Sequence, residues 1–361
     1  MNQVGPGTTT NSRPAAPLGG RRTTLTTVAD QAGVSIATVS KVVNGRAGVN
    51  SATRSRVEAA IKELGYVSLG ERQNALLSAK EMSVELLVDP LDASNPYLSS
   101  FLSGAMQAAT ELKLALVLRS IGAPSQTEPL AWAQSLARAG RTGVIEVTTA
   151  YSARREQALH RVGLPMVLVD PIDVPRTSTP SIGATNWAGA YTATRHLLDQ
   201  GHRNIRYVGG PPGARCDSLR AHGWAAALAE ADLTARLDEV PRHSFTYEHG
   251  LLAATAILNG PQPPTAIFAG SDTVAAGVLE AARTLGLTIP DDLSVVGFDD
   301  TLLAQMTAPP LTTVHQPIAG IGHAAVTTIE RLARGEVLST KRVELATHLV
   351  VRESTAPPRN H

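Results

Sequence analysis

From Val84 onward, short apolar runs rich in β-branched residues alternate with longer stretches whose hydrophobic positions recur at helical spacing. VELLV precedes Tyr97 to Leu112, LALVL precedes Leu130 to Arg138, GVIEV precedes Ala153 to Arg161, and PMVLV closes the series. After the proline-rich segment Asp170 to Pro180 the alternation restarts. SIGA leads into Asn186 to Asp199 and NIRYV into Asp217 to Ala231; then come Tyr247 to Leu258, TAIFA with Thr273 to Leu285, and LSVVGF. Such alternation demands right-handed crossovers and a parallel sheet, and the break near residue 180 splits it into two doubly wound lobes. Ligands bind beyond the carboxyl ends of parallel strands, so two facing lobes create a cleft for a small molecule.

Residues Thr24 to Tyr66 carry helical periodicity alone. Val28, Ala29 and Ala32 form one short apolar face, Gly33 is free to take positive φ, and Ser35 can cap the next helix. That second helix, Ile36 to about Asn44, buries Val39, Val42 and Val43 and leaves Ile36, Ala37, Thr38 and Lys41 outside. Ser51 caps a third helix in which Val57, Ile61 and Leu64 close the miniature core, and Gly65 ends it. Three short helices around a glycine turn predict an all-α helix-turn-helix domain that offers its second helix to a DNA groove.

Charge sharpens this division. Residues 21 to 80 hold nine Lys/Arg against four Asp/Glu, a net of +5, and Arg13 is the one charge before them. The chain total of +1 leaves −5 for residues 81 to 361. A basic head on an acidic body is expected when one end meets phosphates and the other does not. No apolar run approaches the ~20 residues that span a bilayer. Residues 1 to 22, rich in Thr, Pro, Gly and Arg, lack a secretory signal and read as a disordered tail, so a cytoplasmic protein without membrane contact is expected. Cys216 is the only cysteine, which excludes an intramolecular disulfide and a cysteine-cluster metal site. No histidine pair has ligand spacing, so neither metal nor cofactor is expected, and His196, His202 and His315 read as structural.

The string VADQAGVS-x-x-TVSKVVN, followed by TRSRVEAAIKELGY, resembles the DNA-binding domain of the lactose-repressor (LacI/GalR) family, and the resemblance runs nearly to the chain's end. It implies a lambda-repressor-like head at 23–67, a hinge at 68–82, and an effector-binding and dimerisation domain at 83–355 with a type I periplasmic-binding-protein-like α/β fold. Residues 356–361 are a tail. Three crossings between lobes are implied, with PPLTTVHQP (Pro309 to Pro317) as one of them. Lobe 1 then covers about 83–180 plus 312–340, with Thr312 to His315 and Ile318 to Ala333 returning to it. Lobe 2 covers about 181–311 plus 341–355, with Val343 to Val351 added. No leucine heptads follow Val351, which suggests a homodimer.

On the DNA side the resemblance implicates Thr24, Ser35, Ile36, Ala37, Thr38, Ser40, Lys41 and Asn44. Apolar Ile36 and Ala37 suit thymine methyls, and Lys41 can donate to guanine O6 or N7. Arg21, Arg22, Arg46, Arg54 and Arg56 suit phosphates; Arg54 and Arg56 read equally well as solvated helix charges. In the linker Val67 to Ser83, Ser68-Leu69-Gly70 replaces the family's Pro-Asn start, and Ala75 occupies the ninth position after Tyr66, where relatives wedge a leucine into the minor groove. A one-residue insertion would bring Leu76 there, or Leu77.

Polar residues follow the strands where a cleft would lie: Asn95 and Tyr97, Asp170, Ser271 and Asp272, Asp299 and Asp300. The resemblance carries effector contact onto Arg220 in RAHGW and Asp299 in VVGFDD, with Trp187 and Phe245 as rings against the ligand. Carboxylate, guanidinium and a flat apolar face suit a sugar. The structural alternatives are helix caps at Asp272 and Asp300, a salt bridge between Arg220 and Asp299, and core roles for Tyr97, Trp187 and Phe245. An enzyme reading fails: the prolines of Gly209-Gly210-Pro211-Pro212-Gly213 remove phosphate-binding donors, and no Walker loop or nucleophile elbow is present. A repressor of sugar-utilisation genes that binds a near-palindromic operator, switched by a small-molecule effector, fits the whole chain. A nucleoside or another polar metabolite is the alternative effector. A secreted sugar-binding protein would leave residues 24 to 66 without a use.

Overall fold

The computed structural model describes residues 24–43, 47–64, 66, 82–89, 95–122, 127–173 and 179–359, in two separate units, one N-terminal and one starting near residue 81. The N-terminal unit is α1 (Leu25–Ala32), α2 (Ile36–Val43) and α3 (Ser51–Leu64). Thr24 opens α1 through a reciprocal cap with Thr27, each backbone N–H donating to the other's hydroxyl. Gly33 closes α1 at φ +63°, a conformation that costs a residue with Cβ, and the chain turns there into α2. Buried Val28, Ala29, Ala32, Val39, Val42, Val57 and Ala60 form the core, with Ile61 and Leu64 only half-buried. The third helix is capped by Asn50, whose Oδ1 accepts from the Thr53 N–H at 2.7 Å, and not by Ser51 as the sequence suggested. Either side chain can do this; the chain enters one residue earlier. Gly65, and Asn44 at the expected end of α2, lie outside the described residues.

The second unit runs β1 (Ser83–Val88), α4 (Pro96–Leu112), β2 (Ala115–Ser120), α5 (Pro129–Arg138), β3 (Arg141–Val147), α6 (Ala153–Arg161), β4 (Met166–Val169) and β5 (Ser181–Ala184). It continues with α7 (Asn186–Asp199), β6 (Ile205–Val208), α8 (Arg215–Glu230), a 3-10 turn (Leu237–Glu239), α9 (Tyr247–Leu258), β7 (Ala266–Ala269) and α10 (Asp272–Thr284). Then follow β8 (Ser294–Asp299), α11 (Leu302–Met306), β9 (Thr312–His315), α12 (Ile318–Ala333), β10 (Arg342–Leu345) and β11 (His348–Val350). Two sheets result, ordered β2-β1-β3-β4-β5-β10 and β6-β7-β8-β9-β11, parallel except where β11 joins β9 antiparallel.

Each sheet is covered on both faces, which is why its strands read as unbroken apolar runs. In β1, Val84, Leu86 and Val88 face the layer of α4 and α12, while Leu87 faces α5 and α6. In β7, Ala266 and Phe268 face α7 and α8, while Ile267 and Ala269 face α9 and α10. The exceptions carry charge and are paired. Buried Glu85 meets Arg119 and Arg141, and Glu146 takes the Arg155 guanidinium in a two-pronged contact at 2.8 Å.

The lobe boundaries differ from the expectation drawn from the family. Ser181–Ala184 belongs to the first sheet, because it pairs with β4 on one side and β10 on the other. Thr312–His315 belongs to the second, paired with β8, and Arg342–Leu345 returns to the first. Four-residue strands carry no mark of which sheet they join; register decides it. The proline-rich stretch before residue 180 thus connects strands of one sheet, and the lobe crossings fall at residue 185, at 316–317 and at 346–347. The first and third crossings are laced together. The Thr185 and Thr347 hydroxyls lie 2.9 Å apart, Thr347 N–H donates to Thr185 Oγ1, and Thr347 Oγ1 donates to the Thr185 carbonyl.

α4 and α12 cross at glycines. A Cβ at Gly104 would overlap the Ala319 carbonyl, and one at Gly322 would overlap that of Phe101. Gly104→Val should therefore force the helices apart and cost about 1–3 kcal/mol, read as a lower urea midpoint; an unchanged midpoint would contradict this packing.

Candidate functional site: an exposed helix face and a buried charge cluster

In the N-terminal unit, Ser35 just before α2 and Ile36, Ala37 and Lys41 on it are exposed to solvent. Ile36 is 47% exposed. Ile36 opens α2 and Lys41 lies in its last turn, so the exposed part of this helix offers one apolar group and one cation. Ser35 Oγ accepts from the Thr38 N–H at 3.2 Å and lies 2.9 Å from the Thr38 hydroxyl, so this pair fixes the start of the helix. Thr38 and Ser40 are half-buried at its flanks, and Thr24 is exposed at the start of α1. Arg54 is half-buried and Arg56 exposed on α3. Arg21, Arg22, Asn44, Arg46, Ala75, Leu76 and Leu77 lie outside the described residues.

In the two-lobed unit the strand ends converge on Arg220, on α8, which is 4% exposed. Its Nε donates to Asn186 Oδ1 at 2.7 Å, and its Nη1 donates to the Gly270 carbonyl and sits 3.6 Å from Asp299 Oδ1. The guanidinium lies over the Phe298 ring at 3.8 Å, with Phe245 at 5.6 Å. These contacts engage Nε and Nη1; Nη2 makes none of them. Burial works against the charge, but Asp299 and the other acids around it hold the Arg220 pKa above its ordinary value.

Asp299 is held in turn by Gln316, whose Nε2 donates to Oδ1 at 2.6 Å. The Gln316 Oε1 is buried without a hydrogen-bond partner. Asp170, from the other lobe, accepts from the Tyr97 hydroxyl at 2.6 Å, and its charge is coupled to Arg220. Burial is the main cause that pushes the carboxyls of Asp170, Asp272 and Asp299 above the usual carboxylate range, and it lifts the Tyr97 hydroxyl as well. The lobes also touch through the backbone, Arg215 N–H donating to the Ile172 carbonyl at 3.0 Å. Between them a cavity of about 390 Å3, its open mouth included, is lined by Asp170, Ile182 and Ala184 from one lobe and Asn186, Cys216 and Leu219 from the other.

Arg220, Asp299, Asp170, Tyr97 and Phe245 are thus brought together as expected, and others are not. Asn95 caps α4, accepting from the Tyr97 N–H at 3.0 Å. Ser271 caps α10 through the Val274 N–H, a task the sequence had given to Asp272. Asp272 instead accepts from Thr301 N–H and hydroxyl and from the Thr313 hydroxyl, tying α10 to the start of α11 and to β9. Asp300 is no cap; it pairs with Arg352 and His315. Trp187 is 42% exposed and stacks on Tyr191 at 5.3 Å, one turn along α7, with no contact to Arg220. Sequence reasoning missed Asn186, Phe298 and Gln316. Gln316 sits inside the PPLTTVHQP crossover, so its place between the lobes was a usable signal.

The N-terminal unit matches a family model described as bacterial regulatory proteins, lacI family, over residues 24–68, and the two-lobed unit matches a periplasmic binding protein-like domain over residues 194–355. The HTH-type transcriptional regulator DegA of Bacillus subtilis is 33% identical over 93% of this chain and 99% of its own. The chain belongs to the lacI family. It is a helix-turn-helix, DNA-binding transcriptional regulator of the repressor class, and the family match over the first helices leaves a secreted binding protein without support. Among solved structures, this lacI-family chain resembles a CelR–cellobiose complex with TM-score 0.68 and 31% identity, covering 92% of this chain and all of the other. It also resembles the lac repressor dimer bound to operator and an anti-inducer, with TM-score 0.67 and 26% identity, covering 93% and 100%. Among the described residues no helix is long and apolar enough to cross a membrane.

Because burial raises the Asp299 carboxyl, the folded state keeps a proton there that the unfolded chain has released. The stability this gives is present below the ordinary carboxylate pKa and is lost as pH rises through the raised one. Urea midpoints should therefore fall between mildly acid and neutral pH, with a shallower slope in Asp299→Asn; an equal slope would refute the assignment.

Proposed function

We propose that the protein acts as a homodimer whose two α2 helices enter successive major grooves of a near-palindromic operator. A small polar effector, a sugar, switches it from the cleft around Arg220. The observation that carries the effector reading is the buried guanidinium itself. Arg220 is seated at the lobe boundary with Nη2 uncommitted, beside an unpartnered Gln316 carbonyl and the carboxylates of Asp170 and Asp299. A donor fork, acceptors and the Phe245 and Phe298 rings together match hydroxyls and C–H surface of a sugar ring. The solved relative with cellobiose supports the same class of ligand, and the relative bound to operator supports the DNA reading. No cofactor beyond the effector is required.

Ile36 and Ala37 supply apolar contacts to thymine methyls and Lys41 a donor to guanine, while the arginines of the head meet phosphates. Effector binding changes lobe closure and so the relative population of dimers whose heads fit both half-sites.

Footprinting on the DNA upstream of its own gene, with a panel of sugars, tests the reading. A protected palindrome whose occupancy responds to one of them is expected, and no protection under any condition would refute it. Lys41→Ala should weaken operator binding about tenfold or more while sparing effector affinity, measured by fluorescence anisotropy and calorimetry. Arg220→Ala should abolish the effector response, read as operator occupancy that no sugar alters.

A further inference from the structure

A second cavity, of about 410 Å3 up to its mouth, lies in the second lobe at the β6 edge of the sheet. Arg206, Tyr207, Trp224, Arg236, Glu239 and Ile257 line it, and the segment from the 3-10 turn to Pro241 forms one wall. Trp224 is 3% exposed, and its indole N–H has no hydrogen-bond partner. A buried donor left unmade is costly and calls for an acceptor. Tyr207 stacks on Trp224 at 6.0 Å and donates its hydroxyl to Asp217 at 2.6 Å; it does not take the indole N–H.

The mouth is cationic. Arg206 and Arg236 each give one Nη1 to the single carboxylate of Glu239, at 3.2 and 2.9 Å. Two guanidiniums share one anion and retain donors for another. This local positive charge stands on a part of the chain, residues 81 to 361, that is −5 overall. Deeper in, Ile257, Val240 and the Trp224 ring offer an apolar wall.

We propose that this cavity is a second small-molecule site, taking a metabolite that carries a carboxylate or phosphate on a compact apolar body. The anion bridges Arg206 and Arg236, and an acceptor on the guest meets the Trp224 N–H. Occupancy reaches the cleft along one short segment. The Pro241 carbonyl accepts from Gly209 N–H, Arg242 pairs with Asp217 at 3.3 Å, and Phe245 packs on Gly210 and faces Arg220.

The test titrates benzoate and phenyl phosphate into the full-length protein labelled with 15N-tryptophan, with benzyl alcohol and inorganic phosphate as controls. The Trp224 indole resonance is identified by its loss in Trp224→Phe. One or both of the anionic probes should shift that resonance saturably, and the double variant Arg206→Ala, Arg236→Ala should weaken binding about tenfold, the worth of a charge-assisted contact. Both guanidiniums are more than a third exposed, so the double variant should keep its thermal midpoint. No saturable shift with either anion, or a shift equally strong in the double variant or with benzyl alcohol, would overturn the site.

Discussion

A guanidinium taken out of water must be surrounded by acceptors and counter-charge, and Arg220 imposes that demand on the two-lobed unit. Its acceptors come from three strand-end segments: Asn186 just after β5, Gly270 after β7, and Asp299 at the end of β8. Asp170, from the opposite lobe, adds charge without a direct bond. The carboxylates that hold Arg220 also crowd one another in a dry setting, so the cluster is tense as well as cohesive. Each acid is raised by burial while Arg220 pulls Asp170 and Asp299 the other way. Such a balance is altered when a polar guest replaces part of the solvation, which makes the cluster suited to sensing one.

Much of this was legible in the chain. The head could be read because its Val and Ala positions, its glycine turn and its surface charge all agree on one small module; the core found keeps most of the expected residues, with Ala60 added and Val43, Ile61 and Leu64 only half-buried at its edge. The βα alternation gave the two sheets, since strands buried on both faces leave a plain apolar signature. Arg220 and Asp299 were found because their neighbours form a recognisable string. The allocation of strands to lobes was not legible: Ser181–Ala184 and Thr312–His315 are four residues each and pair by register, which no local pattern records.

Side-chain roles at helix starts were the other failure. Asn50 and Ser51 are both competent caps, as are Ser271 and Asp272, and a one-residue difference in chain entry exchanges their duties. For Asp272 the exchange matters, because a carboxylate freed from capping ties α10 to the start of α11 and to β9 at once. Trp187 shows the converse. Its ring follows the helix face set by its position and meets Tyr191 four residues on, a local stacking that outweighs the cleft next to it.

The threonine lacing between the first and third connections restricts how one lobe can swing on the other. Thr185 and Thr347 are joined through both side chains and backbone, so these two straps behave as a single stiff ribbon. The Gln316–Pro317 strap is the third connection, and Gln316 is tied to Asp299 of the second lobe. Two of the three connections are therefore bound to each other, and a ligand that moves one lobe against the other must carry both of them along together.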